Sequence, residues 1–397
     1  MLPMGHIQRK IDDFHVHWFK LRLSGSFISL QGLRQTHLHE LEAESLGDAL
    51  PEGLHVSSES EKSYPAPKKV PLPTLITILN IFNGAIWGVL ARRGLIDLTT
   101  YDGSFLGGVI WANFAACVVM GMFVASETVW EGVAGTVYAN KGAVPFYVGV
   151  TTGFCGTCSS FSTFVLEIFN KAANTLTTHY KYPTAGYGVM EAMAVTIGQI
   201  SVSVAGFHLG RHLVEVLDPR VPSLSPKTVH VLNYACCFLG IAAYIVDIVL
   251  LGTQNYGTWR SWLFSVLFAP WGALLRFFLS KKLNGIINDF PVGTFTANTL
   301  GCLLLAVFTV LARGRSSQSS KLPIASHING CHVLLGLDDG FCGALTTVST
   351  FVVELFGLKT FWSYTYGFTS VAVGFCIMVL IVGSYNWTVG LTSAVCQ

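Results

Sequence analysis

One stretch of hydroxyl-bearing and aromatic residues occurs twice in this chain. The first copy spans residues 153–167 and reads GFCGTCSSFSTFVLE, and the second spans residues 340–354 and reads GFCGALTTVSTFVVE. The copies align without a gap at an offset of 187, and nine of their fifteen positions are identical. Irregular backbone at membrane depth is tolerated only where protein or a cavity satisfies its polar groups. Because both copies lie within long apolar runs, we predict two broken membrane helices with hydroxyl groups and phenylalanine rings at the breaks.

A duplicated asparagine lies near the middle of another pair of apolar segments. Asn113 and Asn298 each follow an alanine, at an offset of 185. Burying an amide in hydrocarbon costs free energy unless it has a partner or serves a permeating species. The NH2 group could donate hydrogen bonds to an anion, or it could bind a neighbouring helix. Since the pair is duplicated beside the broken helices, we favour the anion-facing interpretation.

Side chains next to the breaks could also face an anion. An aromatic ring edge carries partial positive charge, so ring edges can line an anion path without holding the ion tightly. Hydroxyl groups add hydrogen-bond donors, although both kinds of side chain also serve ordinary helix packing. The candidates are Phe161, Phe164 and Phe351 among the rings and Ser162, Thr163, Ser349 and Thr350 among the hydroxyl residues.

A helix break frees backbone carbonyls that can hold a cation and amides that can hold an anion.

Charged residues are also duplicated near the two broken helices. Arg92 and Arg276 end equivalent helices, each in the pattern Trp-Gly-x-x-x-Arg at an offset of 184. They could extend to the lipid headgroups or raise the anion concentration at a vestibule. Glu167 and Glu354 follow the breaks, and we interpret them as structural or vestibular residues.

The composition is that of a polytopic membrane protein. Of its 397 residues, 51% are hydrophobic and only 12% are charged, and the mean hydropathy is +0.54. Soluble chains carry about 25% charged residues. The formal net charge of +2 gives no indication of a nucleic-acid partner. We find no glycine-rich phosphate loop with lysine and no Ser/His/Asp set placed for catalysis, so we predict that the chain is not an enzyme.

The ten cysteines are scattered, and most of them lie in apolar segments. This distribution is typical of helix packing rather than of a disulfide framework. The pair Cys155 and Cys158 has the spacing of a redox or metal site. Its second copy has Cys342 but Leu345, so we favour packing over metal binding.

Apolar segments near the roughly 20 residues that a bilayer requires occupy most of the chain. We predict nine membrane segments, of which the third and the eighth are broken. They span residues 74–92, 104–126, 144–169, 186–209, 229–251, 260–280, 291–312, 333–357 and 363–388. Residues 1–73 precede them as a polar, mostly disordered tail with a proline-rich exit. Its pairs His15/His17 and His37/His39 could bind metal, although solvated side chains are the simpler interpretation.

The three duplicated motifs have nearly the same offset and occur in the same order. The chain is therefore predicted to be an all-α tandem duplication of a four-helix unit, joined by the unmatched fifth segment. Since four crossings return the chain to its starting side, the extra crossing makes the units antiparallel, an inverted repeat. The predicted loops carry eight Lys or Arg on each side of the membrane, so positive-inside bias is nearly absent. The predicted regions are a tail at 1–73, a first repeat at 74–210, a linker with one membrane helix at 211–259, a second repeat at 260–390 and a short C-terminal end at 391–397.

The combination of these motifs resembles the fluoride channels. The pattern Gly-x-Cys-Gly-x-x-(Thr/Ser)-(Thr/Ser)-Phe-Ser-Thr-Phe follows Trp-Gly-x-x-x-Arg and a mid-helix asparagine. This order is similar to that of the bacterial dual-topology CrcB/Fluc dimers and of their fused two-domain eukaryotic relatives, the FEX fluoride exporters. The resemblance covers about residues 74–388, and only the tail is unmatched.

The resemblance implies a passive, fluoride-selective channel with two antiparallel pores between the halves, which exports fluoride and confers resistance to it. The duplicated asparagines would face the pores, and the three phenylalanines would form aromatic boxes. A central structural sodium ion would be held by the backbone carbonyls of Gly156, Ser159, Gly343 and Thr346.

The implied partners are the fluoride ion and the lipid bilayer. No nucleic acid is expected, and no obligatory protein partner is expected because the two halves are fused. The expected location is the plasma membrane, with a cytoplasmic N-terminal tail. The alternative is a proton-coupled dual-topology exporter of a small molecule or anion, which needs an acid at the inverted centre. Asp247 and Glu191 have no duplicate in the other half, which favours the channel.

The two predicted aromatic boxes are unequal, because the chain has Val348 where the family has phenylalanine. If each box takes one ring from each half, Phe161 pairs with Phe351 in one pore and Phe164 pairs with Val348 in the other. Valine offers no polarised ring edge. We therefore predict that the pore with two rings carries most of the flux.

Overall fold

The computed structural model describes residues 75–101, 106–175, 182–253, 257, 259–316 and 319–396. All of them belong to one compact unit, Leu46–Gln397. The tail predicted at residues 1–73, with its two histidine pairs, lies outside the described residues.

Helices account for most of the described chain. In the first half, two helices are followed by a helix broken into pieces and by a long fourth helix. Their bounds are α1 Leu75–Thr99, α2 Val109–Ala125, α3 Pro145–Val148, α4 Gly156–Cys158, α5 Phe161–Ala173 and α6 Ala185–Leu217. A π-helical stretch, Gly149–Cys155, joins α3 to α4. Short 3-10 turns lie at Thr128–Trp130, Lys141–Ala143 and Asp218–Arg220.

Helix α7, Pro226–Thr253, leads to a second half with the same order of elements. Its helices are α8 Arg260–Leu283, α9 Val292–Arg313, α10 Ile328–Gly336, α11 Gly343–Leu345, α12 Ser349–Gly357, α13 Thr360–Met378 and α14 Ser384–Thr388. The π-helical stretches Leu337–Cys342 and Val379–Gly383 continue α10 and α13. A short antiparallel hairpin, β1 Arg315–Ser316 and β2 Ser319–Pro323, follows α9.

Seven of the described helical spans are long and apolar enough to cross a membrane, and α2 is a shorter apolar helix of 17 residues. The chain is a multi-pass membrane protein, as its composition predicts. Several boundaries differ from the sequence prediction. The first helix continues to Thr99 rather than ending at residue 92, and the second begins at Val109 rather than at residue 104. The fourth helix continues to Leu217 rather than ending at residue 209, and the eighth segment begins at Ile328 rather than at residue 333.

Both predicted breaks are confirmed. The first broken helix stops at Cys158 and resumes at Phe161, and Ser159 between them has extended backbone (φ −81°, ψ 152°). The second stops at Leu345, where Thr346 has nearly the same conformation (φ −98°, ψ 153°). A π-helical stretch precedes each break, and such stretches are frequent at functional sites.

Glycines of the Trp-Gly-x-x-x-Arg motif let α1 and α8 approach the broken helices closely. A Cβ atom at Gly88 would lie 2.6 Å from the carbonyl oxygen of Phe154, and one at Gly272 would lie 2.3 Å from that of Phe341. Either contact is too short for a side chain, so this close crossing requires glycine. The same glycine contact is therefore made in both halves.

The prediction that the cysteines serve helix packing rather than a disulfide framework needs one correction. Cys331 at the start of α10 is bonded to Cys396 near the C-terminus. Eight further cysteines, including Cys155 and Cys158, are free. The two bonded residues lie 65 positions apart in sequence, and they meet because α13 and α14 return the chain to the start of α10.

Candidate functional site

Hydroxyl groups of the two breaks bond to each other across the halves. The N–H of Ser349 donates to Ser159 Oγ, and the N–H of Ser162 donates to Thr346 Oγ1, both at 3.1 Å. All four side chains are buried. Ser159 matches Thr346 and Ser162 matches Ser349 in the duplicated stretch, so the contact is reciprocal, like an isologous interface. The two breaks therefore form one buried polar centre.

The duplicated asparagines hold the breaks open. Asn113 Oδ1 accepts from the N–H of Ser160, and Asn298 Oδ1 accepts from the N–H of Thr347, both at 2.9 Å. Both asparagines are almost fully buried. In a continuous helix those N–H groups would donate to the carbonyls of Gly156 and Gly343 four residues earlier. Each asparagine thus binds a break through its oxygen. The NH2 group of Asn113 donates to Gln199 Oε1, and that of Asn298 donates to the carbonyl of Thr347.

The hydroxyl residues complete this separation of the helix pieces. Ser160 Oγ accepts from the N–H of Thr163, and Thr347 Oγ1 accepts from the N–H of Thr350, both at 3.3 Å. These N–H groups are the usual helical partners of the Ser159 and Thr346 carbonyls. All four carbonyls that the family resemblance assigns to sodium thus lose their ordinary helical donor. Carbonyl oxygens are suitable ligands for a hard cation, so this part of the chain fits such an ion.

The structure corrects the expected role of Arg92 and Arg276. Both side chains are completely buried, so neither extends to the headgroups or to an outer vestibule. Arg92 donates to the carbonyl of Thr157, and Arg276 Nε donates to the matching carbonyl of Ala344 at 3.0 Å. These carbonyls end the helix pieces before the breaks, where helix dipoles favour a cation. The arginines therefore stabilise the breaks.

Each arginine also reaches the opposite half. A Cβ atom at Gly343 would lie 2.3 Å from the Arg92 guanidinium, and one at Gly156 would lie 2.3 Å from that of Arg276. Arg276 Nη2 also donates to the carbonyl of Thr152 in the first half, at 2.8 Å. The first glycine after each π-helical stretch therefore provides room for the arginine of the other half.

The predicted rings gather between the halves. Phe161 lies 5.4 Å from Phe351 and 5.7 Å from Phe164, measured between ring centroids. Phe351 also contacts Tyr366 of α13 at 5.1 Å. All these side chains are buried. The pair with two rings is thus in direct contact, and a tyrosine that sequence analysis did not single out extends the aromatic cluster.

A narrow cavity lies beside Asn113, between α2, α5, α6 and α12. It includes all four positions of the predicted aromatic boxes, together with polar side chains of α6. The lining residues are Asn113, Phe161, Phe164, Gln199, Ile200, Ser203, Val348, Phe351 and Val352. We call the side of this cavity with Asn113, Phe164 and Val348 the valine path. The aromatic path is formed by Phe161 and Phe351 together with Tyr366, which packs against Phe351 outside the cavity.

The fourth helices supply matching polar pairs. Gln199 of α6 donates to Glu167 Oε2 at 2.9 Å, and Tyr366 of α13 donates to Glu354 Oε2 at 2.6 Å. A serine four residues later, Ser203 or Ser370, bonds back to its own helix in both cases. Gln199 and Tyr366 are therefore structural equivalents with different side chains.

Sequence analysis also missed a charged cluster between α1, α8 and the π-helical stretch that follows α10. Arg93 forms an ion pair with Asp339 at 3.6 Å and donates to Ser265 and Ser261 at 2.9 and 3.2 Å. Two adjacent acids, Asp338 and Asp339, inside an apolar segment were the available signal. The first half has threonines at the matching positions, so this cluster is not duplicated.

Comparisons with known proteins agree with the duplicated motifs. The family model described as "CrcB-like protein, Camphor Resistance (CrcB)" matches twice, at residues 79–210 and 263–383. The chain is 52% identical over 368 residues to Fluoride export protein 1 of Candida albicans, covering 90% of this chain and 91% of that protein. No solved structure matches.

More distant relatives match either the whole chain or one half. Fluoride export protein 1 of Saccharomyces cerevisiae is 29% identical over 361 residues, covering 78% of this chain and 93% of that protein. The fluoride-specific ion channel FluC of Pseudomonas aeruginosa is 32% identical over 139 residues, which are 33% of this chain and 98% of that protein. The two family matches together span more than half of the chain, and the chain belongs to the CrcB family.

Proposed function

We propose that this protein is a passive, fluoride-selective channel that exports fluoride from the cytoplasm and confers fluoride resistance. It is a transport protein and not an enzyme. The observation that carries the proposal is the buried centre where the two breaks are hydrogen-bonded to each other, with duplicated asparagines and phenylalanine rings beside it. Such a centre offers neutral N–H, O–H and ring-edge donors, which attract a small anion without trapping it. The relatives are named fluoride export proteins and a fluoride-specific ion channel, and these names support this substrate.

Acid–base chemistry explains why a passive path suffices. Hydrogen fluoride is neutral, crosses bilayers and dissociates at cytoplasmic pH, so fluoride accumulates inside. A membrane potential that is negative inside drives an anion outward by about 2.3 kcal/mol per charge per 100 mV. Export through an open path therefore needs neither ATP nor a proton.

The proton-coupled alternative receives less support. The shared centre of the breaks contains hydroxyl groups, carbonyls and two arginines rather than a carboxylate. On the second broken helix, Asp339 forms an ion pair with Arg93. Glu167 and Glu354 lie beyond the breaks and bond to side chains of the fourth helices.

We propose that the halves, 74–210 and 260–390, are inverted relative to each other. The reciprocal bonds between the breaks support a two-fold relation, because each contact has its counterpart with the halves exchanged. Helix α7 adds one crossing between the halves, so the two-fold axis lies in the membrane plane.

Labelling from one side of the membrane tests the inversion. Leu98 at the end of α1 and Lys282 near the end of α8 are separated by the repeat offset of 184, and both side chains are exposed. Leu98→Cys and Lys282→Cys, each made in a Cys376→Ser background, should react with an impermeant maleimide from opposite sides. Reaction of both from one side would contradict the inversion.

We also propose that the protein lies in the plasma membrane with its N-terminal tail in the cytoplasm. After seven crossings, Cys331 is on the side opposite the N-terminus, and Cys396 is on that same side after nine. Disulfides persist in oxidising compartments. The Cys331–Cys396 bond therefore supports an extracellular location for this side.

A sodium ion at the shared centre is the third part of the proposal. The carbonyls of Gly156, Ser159, Gly343 and Thr346 would hold it, and its charge would fasten the two breaks together. A ligand that binds only the folded state stabilises it by about 2.7 kcal/mol at one hundred times its Kd. The melting temperature in sodium chloride should therefore exceed that in potassium or N-methylglucamine chloride at equal ionic strength. Equal values in all three salts would contradict the sodium site.

The function itself is tested by efflux from proteoliposomes. Liposomes containing the protein should lose fluoride on addition of a potassium ionophore, and identical liposomes loaded with chloride should not lose chloride. Protein-free liposomes measure leakage of hydrogen fluoride. Equal loss of both anions, or loss of neither, would contradict a fluoride-selective channel.

A further inference from the structure

We propose that the hydrogen bonds of Gln199 keep the valine path closed, so that the aromatic path is the conducting one. This inference rests on the proposed fluoride function and adds a positioning residue to it. Gln199 is 1% exposed and lies on α6. Its amide joins the NH2 group of Asn113, which a conducting path would need to leave available, to the carboxylate of Glu167.

The first step is a continuous chain of hydrogen bonds. The N–H of Ser160 donates to Asn113 Oδ1 at 2.9 Å, and Asn113 Nδ2 donates to Gln199 Oε1 at 3.2 Å. Gln199 Nε2 donates to Glu167 Oε2 at 2.9 Å, and the other carboxylate oxygen accepts from the N–H of Gly107. The chain thus runs from the break to the start of α2. Gln199 accepts from the asparagine NH2 group that is predicted to serve an anion.

The second half lacks this connection. Asn298 Nδ2 donates only to the carbonyl of Thr347, at 3.3 Å, and within the described ranges no side chain of α13 bonds to it. Tyr366 has no acceptor amide to offer. Its hydroxyl donates to Glu354, which also accepts from Thr294 Oγ1 at 2.5 Å. The carboxylate of the second half is therefore held without using the asparagine.

Energy differences favour a closed valine path. Asn113 Nδ2 carries two N–H groups, and an anion that takes up the one bonded to Gln199 leaves a buried amide oxygen without that donor. An unsatisfied buried polar group costs about 1–3 kcal/mol. The displaced amide would also leave Glu167 Oε2 without its donor from Gln199. On the aromatic path Asn298 donates to the Thr347 carbonyl instead, and Phe161 and Phe351 supply two rings.

A gain of fluoride flux tests whether Gln199 closes the valine path, because misfolding cannot produce such a gain. The background is Phe161→Ile/Val348→Phe, in which the aromatic path is damaged and the valine path has its missing ring. Adding Gln199→Tyr, the residue type of the other half, should raise fluoride efflux at least about tenfold, which corresponds to about 1.4 kcal/mol. Gln199→Ala/Glu167→Gln cannot overpack the cavity and leaves no released carboxylate, so it should raise the flux above that of Glu167→Gln in the same background.

The matched control is Ser203→Ala in the same background. Ser203 lines the same cavity one turn along α6, but its hydroxyl bonds to the main-chain carbonyl of Gln199 and to Cys117 rather than to the side chains of Asn113 or Glu167, so no gain is expected. Wild-type efflux in the same assay separates this inference from the proposed function. The proposed closure by Gln199 is refuted if the wild type conducts fluoride and neither folded Gln199 variant has a higher fluoride efflux than its background variant. A gain that chloride shares equally would also refute it, because it would indicate a leak.

Discussion

The two breaks are built alike, but the paths beside them are not. Asparagine caps, exchanged hydroxyl bonds and buried arginines are present in both halves with nearly identical partners. The side chains that reach the breaks from the fourth helices differ, with Gln199 in one half and Tyr366 in the other. The ring position after the break also differs, because Val348 replaces a phenylalanine. The architecture of the centre and the capacity of each path therefore depend on different residues, which can be altered separately.

The largest effect is expected from the rings of the aromatic path. Phe161→Ile or Phe351→Ile should abolish resistance to external fluoride, because each removes a ring edge from the path that we predict to conduct. Phe164→Ile should have a mild effect, since its path already lacks a ring and is closed by Gln199. Growth in fluoride measures the result, with membrane delivery of each variant checked in parallel. Equal loss from Phe161→Ile and Phe164→Ile would mean that both paths conduct.

A second large effect, on folding, should be equal in the two halves. Gly156→Ala and Gly343→Ala each place a methyl group 2.3 Å from a buried guanidinium. Overpacking of this kind costs about 1–3 kcal/mol, and the hydrogen bonds of the arginines prevent an easy shift. The control is Gly94→Ala in α1, where a Cβ atom meets nothing within 4 Å. Thermal unfolding of the purified protein should separate the two glycines from the control, and three equal melting temperatures would contradict the crossed arginines.

A smaller effect is expected from the hydroxyl of Tyr366. Tyr366→Phe keeps the ring against Phe351 and removes the bond to Glu354, which should cost about 1.5–3 kcal/mol because the acceptor is charged. Fluoride efflux should fall, since the released carboxylate can approach the aromatic path. Tyr385→Phe is the control, because its hydroxyl bonds to the exposed carbonyl of Arg315 far from both paths. Unchanged efflux in Tyr366→Phe would mean that Glu354 does not influence the path.

The smallest effect should come from Asp247 in α7. Its side chain is 4% exposed, and neither carboxylate oxygen has a hydrogen-bond partner within the described part of the chain. It has no duplicate, and a passive path does not use it. Asp247→Asn should therefore leave the efflux rate per folded protein unchanged, with expression measured alongside. A loss of flux with normal folding would favour the proton-coupled alternative.

The duplicated motif was sufficient to predict the broken helices and the asparagines beside them. Helix breaks depend on local backbone chemistry, which glycine and hydroxyl residues reveal, and the constant offset shows which positions match. The arginines were harder to interpret, because a terminal Arg at the end of an apolar segment usually extends to water. Only the glycines of the opposite half create the buried space that these side chains occupy.

The fourth helices could not be matched from sequence. Glu167 and Gln199 are 32 residues apart, but Glu354 and Tyr366 are only 12 apart. The connection before the fourth helix is therefore much shorter in the second half, and the offset that aligns the breaks no longer aligns Gln199 with Tyr366. Their equivalence appears only when the bonds to the two glutamates are compared.

The reversal potential of fluoride current in a planar bilayer tests passive conduction most directly. With a tenfold fluoride gradient and equal pH on both sides, the current should reverse at about 59 mV, the value for one uncoupled charge. A pH gradient of one unit at constant fluoride should leave that potential unchanged once leakage of hydrogen fluoride is subtracted. A reversal potential that follows the pH gradient would contradict the channel and indicate a carrier that couples fluoride to protons.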